Sequence, residues 1–591
     1  MDLYSFPTLP PKWDAIGRFY IAFGATWTFL VLCGMGFLVA NRRMPILRVR
    51  GIGLSLTSIA FLHCYWILAQ VVYPIGQSVP VILAYDIQYF FMGIWFPLGI
   101  ALFHASNTRF LYVAEMQKQF TLSHYRKRYT GCNGASTSWL CRLRNMQYTT
   151  RILIYIGFGM IFQVLLTVGM WFACKKYHPT YGIPGTELKG ATIPEQLVDL
   201  GRGWEWWPSV MWQVIWTWMV APYLIWKAWG IRDTLGWRTQ TIACCLSNLH
   251  ATPLFLASSY APAFAKVNMY FAPSEWIHLS IMFFEIFTVF VPCYIVVRQK
   301  IQSRRAADAN TRWENSSQMT QSTLVGSVVD PNEWKSMSQL EKGESHLTST
   351  TINNRDSSGS DCLLTMQALD RVLVDNPVAL QEFSALRDFS GENIAFLTRL
   401  ARWKASWTQL HAAACTEDEL REAFTHALAI YTDLISPRDA EFPVNLSSQE
   451  LRDLEAVFEG PARIICGEAR VNTALPFESA RTGPPSSPMD RAVSRDSKDT
   501  SSGSSNNDAR IDFGEMVDRV RYMGEISDGF TPRVFDVAER NVKYLVLTNT
   551  WPKFVHETQR RESFESERSA ATDVSETSLV ARVADKVRSF L

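Results

Sequence analysis

The stretch Asp388-Phe389-Ser390-Gly391-Glu392-Asn393-Ile394-Ala395-Phe396-Leu397 carries more information than any other in this chain. After Gly391 the apolar residues Ile394, Leu397, Leu400 and Ala401 recur at helical spacing, which predicts a helix with one buried face. Glu392 and Asn393 then sit in its first turn, where an exposed carboxylate and amide can meet a partner. The plainer reading is that they cap the helix.

The flanking sequence is helical throughout. Asn376 followed by Pro377 starts a helix. Thr416 with Glu419, ahead of Leu420–Leu434, and Ser447 with Glu450 have the spacing of capping boxes. Thr531-Pro532 opens a helix through about Leu547, and Thr550-Trp551-Pro552 opens the last one. Between about 461 and 530 this pattern breaks, and 481–510 is Ser, Asp, Pro, Gly and Asn with almost nothing to bury. The composition predicts a disordered insertion between two helices, tolerable because loop-closure cost rises slowly with length.

In order, Asn376-Pro377-Val378-Ala379-Leu380-Gln381-Glu382-Phe383, the 388–397 stretch, Ala429-Ile430-Tyr431, Val444-Asn445-Leu446, Val534-Phe535-Asp536-Val537-Ala538 and Tyr544-Leu545 through Trp551-Pro552-Lys553-Phe554 resemble a regulator of G-protein signalling (RGS) domain. The resemblance covers about 365–560. It implies a helical module that binds the GTP-bound Gα subunit of a heterotrimeric G protein and holds its switch segments in the transition-state shape. Such a module is not itself an enzyme: it has no catalytic residue, metal or cofactor, and it works by positioning and preorganised electrostatics. By the resemblance, Asn445 would touch the partner's catalytic glutamine. Asp388, Ser390, Glu392 and Asn393 would face the switches, and Leu545, Asn549, Thr550 and Lys553 would complete the surface. Two positions depart from the usual pattern: Asn549 stands where most RGS domains have Asp, and Lys553 where most have Arg. Loss of the planar fork and of its acidic partner implies a weaker buttress.

The preceding half of the chain is of another kind. The totals of 591 residues, 48% hydrophobic and net charge +2 average over two unlike parts. Seven apolar segments, about 16–40, 51–74, 80–104, 150–173, 207–229, 240–260 and 276–298, approach the ~20 residues needed to cross ~30 Å of hydrocarbon. The sixth is the weakest, with Ser247, Asn248, His250 and Pro253 inside it. Met1–Asp14 has no basic region or cleavage site, so the first segment reads as a retained anchor. Arg42, Arg43, Arg48 and Arg50, then Arg109, Lys118, Arg126, Lys127, Arg128, Arg142 and Arg144, then Arg232 and Arg238 mark the odd-numbered loops, and Arg298, Lys300, Arg304 and Arg305 follow the last segment. The positive-inside rule puts these on the cytoplasmic side and the N-terminus outside. Trp204, Trp206, Trp207, Trp226 and Trp229 bracket segment five as interfacial anchors.

Asp86 and Glu285 are costly in hydrocarbon and should face a cavity or a partner, with His63 and His250 as company. Two readings stay open: a site for a small-molecule ligand, or hydrogen bonds that fix helix packing. Segment seven has no lysine for a retinal Schiff base. The eleven cysteines form no CxxC or other metal-ligand spacing, and no feature points to nucleic acid.

The expected architecture is all-α. A seven-helix transmembrane bundle (1–302) precedes a disordered Ser/Thr-rich linker (303–360), a cytoplasmic all-helical RGS domain (361–562, insertion 481–510) and a tail (563–591). Seven spans joined to such a domain are similar to the receptor-like RGS proteins of plants and filamentous fungi. This implies a plasma-membrane protein that speeds GTP hydrolysis on Gα and is open to gating by an outside ligand. The competing class is a receptor or transporter whose helical tail is an inactive docking scaffold.

Overall fold

The computed structural model describes residues 3–121, 148–178, 180–324, 364–410, 416–466 and 522–572. Every extended element among them is a helix, and there is no strand among the described residues, in line with the all-α expectation. The 481–510 insertion, most of the 303–360 linker and the end of the tail lie outside the described residues.

Among the described residues six helices are long and apolar enough to cross a membrane. They are α1 (Ala15–Ala40), α2 (Ile52–Ser78), α3 (Val81–Phe120), α4 (Tyr148–Ala173), α6 (Trp237–Tyr260) and Glu275–Asn315, the apolar part of α7. Asp14 opens α1 by accepting from the Gly17 amide at 2.7 Å. Phe158, Ile161, Phe162 and Leu165 on α4 are all exposed, Leu165 at 68%. A continuous apolar face of that kind suits hydrocarbon rather than water.

The segment expected at 207–229, α5, is helical along its whole length as Trp207–Val214, a π-helical Ile215–Val220 and Ala221–Trp229. It is not among the six, because its tryptophans, Pro208, Gln213 and Lys227 dilute the aliphatic residues. The sixth segment, expected to be the weakest, is one of the six, although the chain turns at Leu249–His250 between Trp237–Asn248 and Ala251–Tyr260. The last apolar helix, α7, runs on through Glu275–Glu285, Ile286–Phe290 and Val291–Leu324. It therefore extends well past 303, where the linker was expected to begin. Arg304-Arg305-Ala306-Ala307 are good helix formers that carry on from an existing turn.

Then follow α8 (Met366–Asp375), α9 (Pro377–Leu386), α10 (Gly391–Leu410), α11 (Glu417–Leu434) and α12 (Ser448–Cys466). The last, α13, is Asp536–Leu545, a π-helical Val546–Thr550 and Trp551–Thr572 without a break. The caps fall where the sequence places them. Glu419 N–H donates to Thr416 Oγ1 while Thr416 N–H donates to Glu419, and Ser447 and Glu450 do the same. Thr531-Pro532 only forms turns: helix begins at Asp536, and no loop separates it from Trp551.

The chain divides into two compact units, Met1–Thr398 with Val537–Leu591, and Arg399–Asp536. The first takes in α8, α9, the start of α10 and nearly all of α13 together with the apolar helices. The second has an aromatic core. Phe458 lies 5.7 Å from Phe424, 5.3 Å from Tyr431 and 5.4 Å from Phe535, while Trp403 donates to the Ala423 carbonyl at 2.9 Å.

Candidate functional site

The 388–393 stretch lies inside the first unit, where α9 ends and α10 begins. The chain reverses at Phe389, whose φ of 50° is left-handed and costs a residue with a side chain on the order of 1 kcal/mol. Its ring is fully buried, 6.0 Å from Phe110 of α3, which in turn meets Trp237 of α6 at 5.4 Å. Gly391 permits the close approach. A Cβ there would stand 2.8 Å from the Phe120 Cβ and 3.0 Å from Gln117 Oε1, both at the end of α3.

Asp388 is the hub. It is 3% exposed, and its carboxylate accepts from Lys553 Nζ at 2.7 Å, Thr550 Oγ1 at 2.8 Å, Ser390 Oγ at 2.9 Å and Thr234 Oγ1 at 2.7 Å. Thr234 precedes α6, and its amide also donates to the Arg387 carbonyl at 2.9 Å. That loop is itself held. Asp233 accepts from the Trp237 amide at 2.6 Å, and Arg50 donates to the Leu235 carbonyl and to Gln240. Asn549 Oδ1 accepts from Lys553 at 3.0 Å and from Gln299 of α7. Lys553 thus has an acidic partner after all. Asp388 supplies it across about one hundred and sixty intervening residues, where the sequence pattern looked for one at 549.

Glu392 and Asn393 are not exposed as expected: they are 8% and 4% exposed. Gln117 of α3 closes over the start of α10, donating to Glu392 Oε2 at 3.0 Å and accepting from the Gly391 amide at 3.1 Å. Burial pushes the Glu392 carboxyl up to about 7, against the opposing Gln117 hydrogen bond. Asn393 Oδ1 is buried with no hydrogen-bond partner among the described residues.

Asp388, Ser390, Glu392, Asn393, Asn549, Thr550 and Lys553 therefore come together. Leu545 is half-buried on α13, one turn before Asn549. Asn445 belongs to the second unit. It is half-buried between Val444, whose amide donates to the Leu434 carbonyl at 2.8 Å, and Leu446.

Compared with family profiles, with curated proteins and with solved structures, the chain matches none.

Asp86 and Glu285, the acidic residues expected to face a cavity or a partner, have separate partners. Glu285 on α7 is fully buried, pairs with His63 Nδ1 of α2 at 2.7 Å and accepts from the Trp27 indole of α1. His63 Nε2 faces Thr28 Oγ1 at 3.0 Å. Asp86 on α3 is half-buried and accepts from the Trp171 indole of α4 at 2.8 Å, while His250 lies 3.4 Å from Ser280. Each carboxylate already has a donor within the protein, as expected of groups that fix helix packing. No group of three or more His, Cys, Asp or Glu among the described residues is placed to hold a metal ion.

Gln117, Thr234 and Gln299, which close the site, escape sequence reasoning. Each sits among other polar residues at the edge of an apolar segment, and no spacing marks it.

Proposed function

We propose that this chain is a seven-span plasma-membrane protein with its N-terminus outside, whose cytoplasmic RGS domain binds GTP-loaded Gα and speeds GTP hydrolysis. The observation that carries this reading is the convergence of Asp388 and Ser390 with Thr550 and Lys553. The resemblance assigns these remote residues to one surface, and they share one hydrogen-bonded cluster. Support for α5 as the seventh span comes from Trp218, Met219, Trp226 and Trp229, which are exposed along it as a lipid-facing, interface-seeking surface. The surrounding lipid is then the second partner.

A specific observation favours the rival reading, an inactive scaffold. Glu392 and Asn393 are buried, Glu392 against Gln117, rather than open to a partner. Single-turnover GTP hydrolysis by Gα, with the full chain in lipid vesicles, separates the two. The proposal expects acceleration, and expects Asn445→Ala to remove about 2–4 kcal/mol of it while leaving α11 and α12 folded. If neither the wild type nor a variant lacking the Gln117 and Thr234 donors accelerates hydrolysis, the scaffold reading stands.

A further inference from the structure

We propose that the apolar helices mask the surface meant for Gα. Gln117, Thr234 and Gln299 hold residues 388–393 and 549–553 in a closed joint, and the protein acts on Gα only when that joint opens. This rests on the reading of those residues as the Gα surface.

The joint is built from groups that a protein partner would otherwise satisfy. Thr234 donates to Asp388, Gln117 to Glu392, and Gln299 to Asn549. The masking groups come from three separate places: the end of α3, the loop before α6, and the middle of α7. A displacement of those helices therefore acts on the joint directly. These three contacts are hydrogen bonds, which water or a partner can replace. An apolar part accompanies them: Phe389 packs against Phe110, and Val546 and Leu547 are fully buried beside Asn549.

The closed joint also carries its own opposition. Phe389 is held at a φ of 50°, and Asn393 Oδ1 is buried without a hydrogen-bond partner. Both costs vanish when the loop is released to a partner or to water. A joint that is polar, strained and under-satisfied is poised, whereas a permanent one would be apolar and relaxed.

The test uses the full chain in lipid vesicles and reads two quantities. One is hydrogen exchange at amides 391–396, which reports the joint without Gα. The other is the single-turnover rate of GTP hydrolysis on Gα. Gln117→Ala combined with Thr234→Val removes two masking donors and touches no residue of the proposed Gα surface. The expected result is about tenfold faster exchange together with about tenfold more acceleration. Phe120→Cys combined with Gly391→Cys provides the opposite arm: their Cβ atoms would lie 2.8 Å apart, so the loop must move by about 1 Å, away from Ala385 as well, to reach the ~3.8 Å of a disulfide. The oxidised protein should lose acceleration and regain it on reduction, which also shows that it is folded. Unchanged exchange in the donor variant overturns the proposal, because those groups would then hold nothing. Faster exchange with acceleration equal to an already active wild type overturns the masking but leaves the RGS reading intact. No acceleration from wild type, opened or reduced protein removes the RGS reading, and the masking falls with it.

Discussion

The aromatic core around Phe458 and the polar joint around Asp388 are both buried, yet they are built on opposite principles. In the core Phe424, Tyr431, Phe458, Phe530 and Phe535 contribute large apolar surfaces with little need for direction. In the joint nearly every contact is a donor aimed at an acceptor, and a carboxylate sits at the centre. Apolar burial is cumulative and yields only when the whole core is exposed. Directed polar burial is conditional, because each group stays buried only while its partner is present.

The contrast is broken most severely from the core side. Phe458→Ala should cost about 3–5 kcal/mol, since a fully buried ring leaves a cavity among four others. Denaturant unfolding followed by exchange of α11 and α12 measures it. A loss under 1 kcal/mol would mean that the second unit is not organised by this cluster.

In the joint, Lys553→Ala leaves the buried Asp388 without a cation. The expected cost is about 2 kcal/mol, below the ~3–5 of a lone buried charge because three hydroxyls still donate. Exchange protection at 388–396 reports it. If α11 and α12 lost protection equally, the two regions would not be independent.

Glu392 sharpens the comparison through pH. Its carboxyl binds a proton more tightly in the closed joint, at about 7, than at the ordinary value of 4.5. The joint is therefore tightest below pH 4.5, weakens as pH rises from 4.5 through 7, and is level above that. Asp388 adds to the upward shift and Arg48 opposes it. Protection at 391–396 should fall between pH 5 and 8 in the wild type, and Glu392→Gln should flatten the profile. A parallel slope in both proteins would assign the dependence to another group.

The smallest effect is expected at 549. Because Lys553 already pairs with Asp388 at 2.7 Å, Asn549→Asp should change joint stability by no more than about 0.5 kcal/mol. A gain above 1 kcal/mol in the same exchange measurement would show that Asp388 does not satisfy Lys553.

Local chemistry was legible wherever a few neighbouring residues decide it. Thr416 with Glu419 and Ser447 with Glu450 mark helix starts because a cap is satisfied within one turn, and Pro377 marks one because its fixed φ suits the first helical position, although the Asn376 side chain makes no cap bond. Thr531-Pro532 resembles such a start, but helix waits until Asp536. The tryptophans of 207–229 read as interface anchors, although their number leaves that helix short of the apolarity of the other six.

By itself, the sequence determined the helices, most of their ends and the division between apolar and polar halves. Periodicity and capping act over four residues, and membrane length over about twenty. Only the tertiary structure decided that Glu392 and Asn393 are covered, that Lys553 finds its acid at Asp388, and that Glu285 pairs with His63. Those outcomes depend on which remote side chain arrives opposite. A residue's own sequence neighbourhood holds no record of the group that will remove it from water.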